Sequence, residues 1–223
     1  MELILGIDDA GRGPVIGPMV LAGVLLDSKT ESELKKLGVK DSKDLTPKRR
    51  GILAEKIKEK AETFEIEIIS APDIDDKNAQ GIKLNEVEAF ACANIINKIN
   101  KGYKKIKVIL DCPSVSLIKW GAFLKTKINN LSNLEIRCEH KADKNHVAVS
   151  AASIIAKETR ESEMTKLKEK YGNEIGSGYC SDPLTQKFLE KFLHKYDNDG
   201  IFRKTWTTYK RAKEKLKQRK LSF

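Results

Sequence analysis

Three features of this 223-residue sequence predict an α/β fold with a mixed sheet of about five strands flanked by helices, followed by a helical C-terminal extension. Two apolar runs joined by a Gly/Pro-rich turn open the chain as antiparallel neighbours. Helix-period and strand-period segments then alternate. The alternation stops at Gly176-Ser177-Gly178-Tyr179, beyond which only helix-period segments follow.

Leu3 to Ile7 is a continuous apolar run, the pattern of a buried strand. It stops at Asp8-Asp9, and Gly11-Arg12-Gly13-Pro14 turns the chain. Met19 to Leu26 is the second strand. Asp27 to Lys43 is polar and charged, with no element assigned to it, ending in Lys40-Asp41-Ser42-Lys43. Thr46 caps a helix with Pro47 in first position, running to Ala61 with Ile52, Leu53 and Ile57 on its inner face. Phe64, Ile66 and Ile68 alternate with Glu65 and Glu67 as a half-buried third strand. Ala71 to Gly81 is a polar connector with at most a short helical turn. Leu84, Val87, Ala91, Ile95 and Ile99 lie at helical spacing, a stripe that core packing explains. Lys105 to Asp111 is a fourth strand and Leu117 to Ile128 a helix. Leu134, Ile136 and Cys138 mark a fifth strand, and Lys141-Ala142-Asp143 leads into a helix from Val147 to Lys170. Two further helices, Pro183 to Tyr196 and Trp206 to Arg219, close the chain.

Lys plus Arg number 42 against 32 Asp plus Glu, a net charge of +10, which suits a polyanionic partner. The last helix, with Lys210, Arg211, Lys213, Lys215, Lys217 and Arg219, reads equally as a solvated face and as a nucleic-acid contact. Cys92, Cys112, Cys138 and Cys180 are scattered without CxxC pairing, which indicates neither a zinc site nor a disulfide framework. Reduced thiols, Met1-Glu2 running straight into a strand, and no apolar run long enough for a membrane lead to the expectation of a cytoplasmic protein.

Four acids stand out. Asp8, Asp9, Asp111 and Asp143 each lie at or just after a strand, or at a helix start facing one. Strand ends on one sheet edge converge, and carboxylates brought together repel unless a cation relieves them. Hard divalent ions such as Mg²⁺ or Mn²⁺ accept such oxygen ligands. Two ions about 4 Å apart can activate a water and stabilise a leaving oxygen. Taken singly, Asp143 reads equally as a helix N-cap and Asp111 as a loop acid. His140 and His146 bracket Asp143, which invites a metal reading, though such residues more often hydrogen-bond near a site or sit on the surface; His194 has no supporting context.

Gly6-Ile7-Asp8-Asp9-Ala10-Gly11-Arg12-Gly13-Pro14 resembles the opening motif of type 2 ribonuclease H, and Lys40-Asp41-Ser42-Lys43-Asp44-Leu45 resembles its K-D-S-K-x-L segment. Leu110-Asp111 and His140-Lys141-Ala142-Asp143, with Val149 to Lys157 behind, resemble its third and fourth acidic sites, in an archaeal-like form. Gly176 to Tyr179 with Ser181-Asp182-Pro183, and Arg203 with Trp206, resemble its late elements. The resemblance implies a ribonuclease-H-like catalytic domain over 1–175 and a helical region over 176–223 that completes the substrate groove. It implies a monomeric endonuclease that cuts the RNA strand of RNA–DNA hybrids and incises 5′ to single ribonucleotides in DNA duplex, leaving 3′-hydroxyl and 5′-phosphate ends. Asp8, Asp9, Asp111 and Asp143 would hold two Mg²⁺ or Mn²⁺ ions. Gly11, Arg12 and Gly13 would read the 2′-hydroxyl through backbone contacts, Tyr179 would pack on the following sugar, and Lys40, Ser42 and Lys43 would contact phosphates. A sliding-clamp partner occurs in the family, but Lys220-Leu221-Ser222-Phe223 is not a convincing clamp peptide.

Two positions depart from the pattern. The family's second acid is glutamate; Asp9 is one methylene shorter, about 1.5 Å of reach. Slower turnover with Mg²⁺, or a preference for Mn²⁺, is expected. Cys180 replaces a proline and is expected to loosen the loop carrying Tyr179.

Overall fold

The computed structural model describes residues 2–40 and 42–221, with no side chains described for 219–221. Asp41, and the Ser222-Phe223 end of the segment compared with a clamp peptide, lie outside the described residues. The strands are β1 (Leu3–Ala10), β2 (Met19–Asp27), β3 (Thr63–Ile69), β4 (Ile106–Asp111) and β5 (Leu134–Glu139). They form one sheet in the order β3-β2-β1-β4-β5. β1 is antiparallel to β2 and parallel to β4, and β4 is parallel to β5, which makes the sheet mixed as expected.

The helices are α1 (Ser28–Lys36), α2 (Pro47–Lys60), α3 (Ala71–Ala79), α4 (Leu84–Ile99), α5 (Leu117–Lys125), α6 (Ala142–Asn145), α7 (Val147–Tyr171), α8 (Pro183–Tyr196) and α9 (Thr207–Leu221). Two of them correct the sequence reading. The charged stretch after β2 folds as α1, capped by Asp27, whose Oδ1 accepts from Thr30 N at 2.7 Å. The polar connector after β3 is α3, started by a capping box in which Ser70 and Asp73 satisfy each other's backbone N–H groups. In α2, Arg50, Leu53, Ala54 and Ile57 form the buried stripe, while Ile52 is 48% exposed. Ile52 sits about 100° round the helix from Leu53, which carries it off the inner face.

Contacts divide the chain into two compact units, neither continuous in sequence. The first comprises Met1–Ala10, Val20–Glu67 and Leu84–Thr159, and holds the body of the sheet. Its core joins β2 side chains such as Val24 and Leu26 to Leu53 and Ile57 of α2 and to the Ala151–Ile155 stretch of α7. Small residues let α7 lie close. A Cβ added to Gly6 would fall 2.1 Å from the Ala148 carbonyl carbon. The second unit comprises Gly11–Met19, Ile68–Lys83 and Arg160–Phe223. Its core gathers Val15, Ile16, Phe188, Leu193, Phe202 and Tyr209. Among the described residues no helix is long and apolar enough to cross a membrane.

Candidate active site

β1 runs further than its apolar residues. Its ladder to β2 continues through Asp8↔Ala22, Asp9↔Leu21 and Ala10↔Val20, so both acids are strand residues. Successive strand residues face opposite sides. Asp8 shares the side of Gly6, towards α7, where the Ser153 hydroxyl hydrogen-bonds its carboxylate. Asp9 shares the side of Ile7 and lines a recess with Glu88 and Cys92 of α4, Asp111 and Trp120.

The parallel pairing of β1 with β4 reaches Ile7↔Leu110, so the next residues in register are Asp8 and Asp111. Neighbouring strands lie about 4.8 Å apart, which sets these two carboxylates side by side. β5 ends beside Asp111 at Glu139. Lys141 then takes a left-handed turn (φ 57°), rare for a residue with a side chain. That turn brings the Ala142 N–H back to Asp111 Oδ1 at 2.8 Å, and Asp143 is the next residue along the chain. Asp143 is only 6% exposed. His140 Nδ1 lies 3.2 Å from the Cys112 carbonyl and His146 Nε2 lies 2.8 Å from Glu139 Oε2, so both histidines brace this corner.

Burial, then the charge of Asp9, then that of Asp111 push the Asp8 carboxyl well above the usual range, against the pull of the Ser153 hydroxyl and the Asp9 N–H. This is what carboxylates crowded without a counter-charge experience. Among the described residues no three His, Cys, Asp or Glu side chains stand as a ready cage for a metal ion. The donor set still suits Mg²⁺ or Mn²⁺. Such ions are commonly held by one or two carboxylates and completed by water and substrate phosphate. The nearby thiols are unsuited to softer chemistry. Burial, followed by the charge of Glu88, pushes Cys92 up, and burial with Cys112 pushes Cys138 up to about 11.

Lys40 and Lys43 are exposed, Lys40 ahead of a short 3₁₀ turn, Ser42–Asp44, and Lys43 within it. Ser42, expected among the phosphate contacts, packs against α7. It is 3% exposed, and its Oγ lies 3.0 Å from Ser153 Oγ. Its hydroxyl therefore leads through Ser153 to Asp8.

In the second unit, Gly11 is buried in a left-handed conformation (φ 82°), Arg12 is half-buried and Gly13 exposed. Tyr179 is exposed, its ring 5.0 Å from the Arg160 guanidinium. The Gly178 carbonyl accepts from Val15 N at 2.9 Å and Ile16 N at 3.2 Å, which fixes the Tyr179 loop to the turn after Pro14. Cys180 does more than fill a vacated proline position. Its Sγ approaches the Gly13 carbonyl at 3.7 Å, and its own carbonyl accepts from Gln186 Nε2 at 2.8 Å. Sequence reasoning passed over Ser153, Glu88 and Arg160, and gave Arg203 no role. Glu88 carried a signal, an acid beside Val87 in an apolar helical stripe; Ser153 lay among small helix residues and carried none.

A mixed 3-2-1-4-5 sheet with carboxylates at the ends of its two central strands defines a metal-dependent phosphodiester hydrolase of the ribonuclease-H-like class. The family model described as Ribonuclease HII matches residues 5–209. Ribonuclease HII of Methanobrevibacter smithii is 42% identical over 94% of this chain and 98% of its own. Among solved structures, ribonuclease H2 from Pyrococcus horikoshii OT3 superposes with a TM-score of 0.86 at 36% identity, covering 96% of this chain and 99% of that one. The RNase HII of a PCNA:RNase HII complex from Archaeoglobus fulgidus gives 0.80 at 38% identity, covering 92% and 95%. This chain belongs to the ribonuclease HII family.

Proposed function

We propose that this ribonuclease hydrolyses the RNA strand of RNA–DNA hybrids and incises 5′ to single ribonucleotides embedded in duplex DNA. The observation that supports it most is the carboxylate pair Asp8 and Asp111 at adjacent strand ends, with Asp143 held one residue from the N–H that grips Asp111. Asp8, Asp9, Asp111 and Asp143 would hold two Mg²⁺ or Mn²⁺ ions, whose chemistry is to lower the pKa of a water and to offset charge on the leaving oxygen. The chain's own residues orient and select. Ser153, backed by Ser42, aims the Asp8 carboxylate, and Ala142 N–H aims Asp111. Backbone groups of Gly11 to Gly13 read the 2′-hydroxyl, the one feature that marks a ribonucleotide. Tyr179 packs on the next sugar, and Lys40 and Lys43 hold phosphates. Products carry 3′-hydroxyl and 5′-phosphate ends.

In this reading residues 1–175 supply the chemistry and 176–223 the remaining substrate contacts, among them the basic face of α9. The protein acts as a monomer in the cytoplasm, and no clamp partner is assigned to it. Cleavage mapping tests the proposal on two duplexes, one with a single ribonucleotide and one a continuous hybrid, each with Mg²⁺ and with Mn²⁺. Incision 5′ to the lone ribonucleotide is expected. Cutting confined to continuous hybrids would overturn that half of the proposal, and intact RNA under both ions would leave the two-ion reading without support.

A further inference from the structure

Arg203 is the largest fully buried side chain of the described residues, and a buried guanidinium needs several acceptors. It finds them in the turn after β1. Its Nη2 donates to the Gly11 carbonyl at 2.6 Å and to the Gly17 carbonyl at 3.0 Å, its Nη1 to the Arg12 carbonyl at 2.7 Å, and its Nε to Gly17 at 3.1 Å. Trp206 completes the set. Its Nε1 donates to the Gly13 carbonyl at 3.1 Å, and its ring lies 5.0 Å from the Arg203 guanidinium carbon. All three carbonyls of Gly11-Arg12-Gly13 are therefore drawn to one side.

A trans peptide is planar, with its C=O and N–H pointing opposite ways. Pinning the Gly11 carbonyl turns the Arg12 N–H away from Arg203, and pinning the Arg12 carbonyl does the same for the Gly13 N–H. The peptide after Gly13 ends in Pro14, which has no N–H to present. The turn thus shows two donors on the face opposite Arg203. A Cβ added to Gly13 would meet nothing within 4 Å, so the chain is open there.

We infer that Arg203 and Trp206 are positioning residues for sugar selection: they orient the Arg12 and Gly13 N–H groups towards the 2′-hydroxyl without touching the substrate. This rests on the proposal that Gly11 to Gly13 read that hydroxyl. It assigns discrimination between ribose and deoxyribose to side chains 191 to 193 residues further along the chain.

The test measures binding in EDTA, by fluorescence anisotropy, to two duplexes that differ only in one ribonucleotide. The readout is the ratio of the two dissociation constants. Trp206→Phe keeps an aromatic ring and removes one donor, and Arg203→Lys removes the fork. The wild type should favour the ribonucleotide duplex. Trp206→Phe should cut that preference by about threefold to tenfold, the worth of one neutral hydrogen bond, with affinity for the all-DNA duplex unchanged. Arg203→Lys should cut it further where it folds. A merely destabilised variant lowers the active fraction equally for both duplexes and leaves the ratio alone. A wild-type preference retained in Trp206→Phe overturns this inference. A wild-type ratio of one overturns instead the reading of Gly11 to Gly13 on which it rests.

Discussion

Gly13→Ala separates what the turn needs for folding from what it needs for substrate. Gly13 is not in the left-handed region, and a Cβ there meets no atom within 4 Å. An alanine in a compatible conformation stabilises by about 0.4–1 kcal/mol through the unfolded chain. For a domain of this size that is a rise in Tm of roughly 1–4 °C. Gly11→Ala, two residues earlier, should behave oppositely. Gly11 has φ 82°, and its Cβ would fall 2.2 Å from Arg160 Nε. The left-handed penalty of about 1–2 kcal/mol and overpacking of about 1–3 kcal/mol together predict a loss of roughly 4–20 °C. For activity the order reverses once only folded protein is compared. A methyl group at Gly13 stands where the sugar must approach, and a displacement of about 1 Å costs on the order of 100-fold. Calorimetry and single-turnover cleavage of a duplex with one ribonucleotide decide it. A Gly13→Ala variant that melts at or above the wild-type temperature and cleaves at the wild-type rate refutes the reasoning.

Asp9→Glu should raise the rate with Mg²⁺ relative to Mn²⁺ by restoring about 1.5 Å of reach; an unchanged ratio of the two rates counts against it. Asp8→Asn should abolish hydrolysis yet raise the metal-free Tm at neutral pH. The folded carboxyl of Asp8 lies above its ordinary pKa, so folding binds a proton more tightly and stability falls as pH rises through that window. The gain should close as pH falls to about 4 or below, where wild type is protonated in both states; a lower neutral-pH Tm for the variant refutes it. Ile57→Ala, in the core, should cost about 2–5 kcal/mol, whereas exposed Ile52→Ser should stay within about 0.5 kcal/mol by urea unfolding.

The sequence announced whatever depended on apolar spacing. β4, α4 and α8 fall where their hydrophobic residues repeat, with both ends of α4 and α8 as expected. It was silent where backbone pairing or capping decided the outcome. α1 buries only Leu34, too little for a hydrophobic stripe, and forms through its Asp27 cap. α3 had its Ser70 and Asp73 signal in plain sight, but its many acids and amides read as a connector. β1 continues through Asp8 and Asp9 because the ladder is made by peptide groups that ignore side-chain polarity. Of the candidate site, the acids were legible because carboxylates at strand ends are costly without a task. The Ser42–Ser153 contact joins residues 111 apart through common side chains, so no local pattern announces it.

The turn after Ala10 is made well before the groups that fix its carbonyls, Arg203 and Trp206, which lie almost two hundred residues further along the chain. Until they arrive, the Gly11 and Arg12 carbonyls lack the guanidinium that draws them to one side. A nascent chain that has completed every strand would thus still be blind to the sugar it meets. Selectivity for the sugar would come only with that later segment.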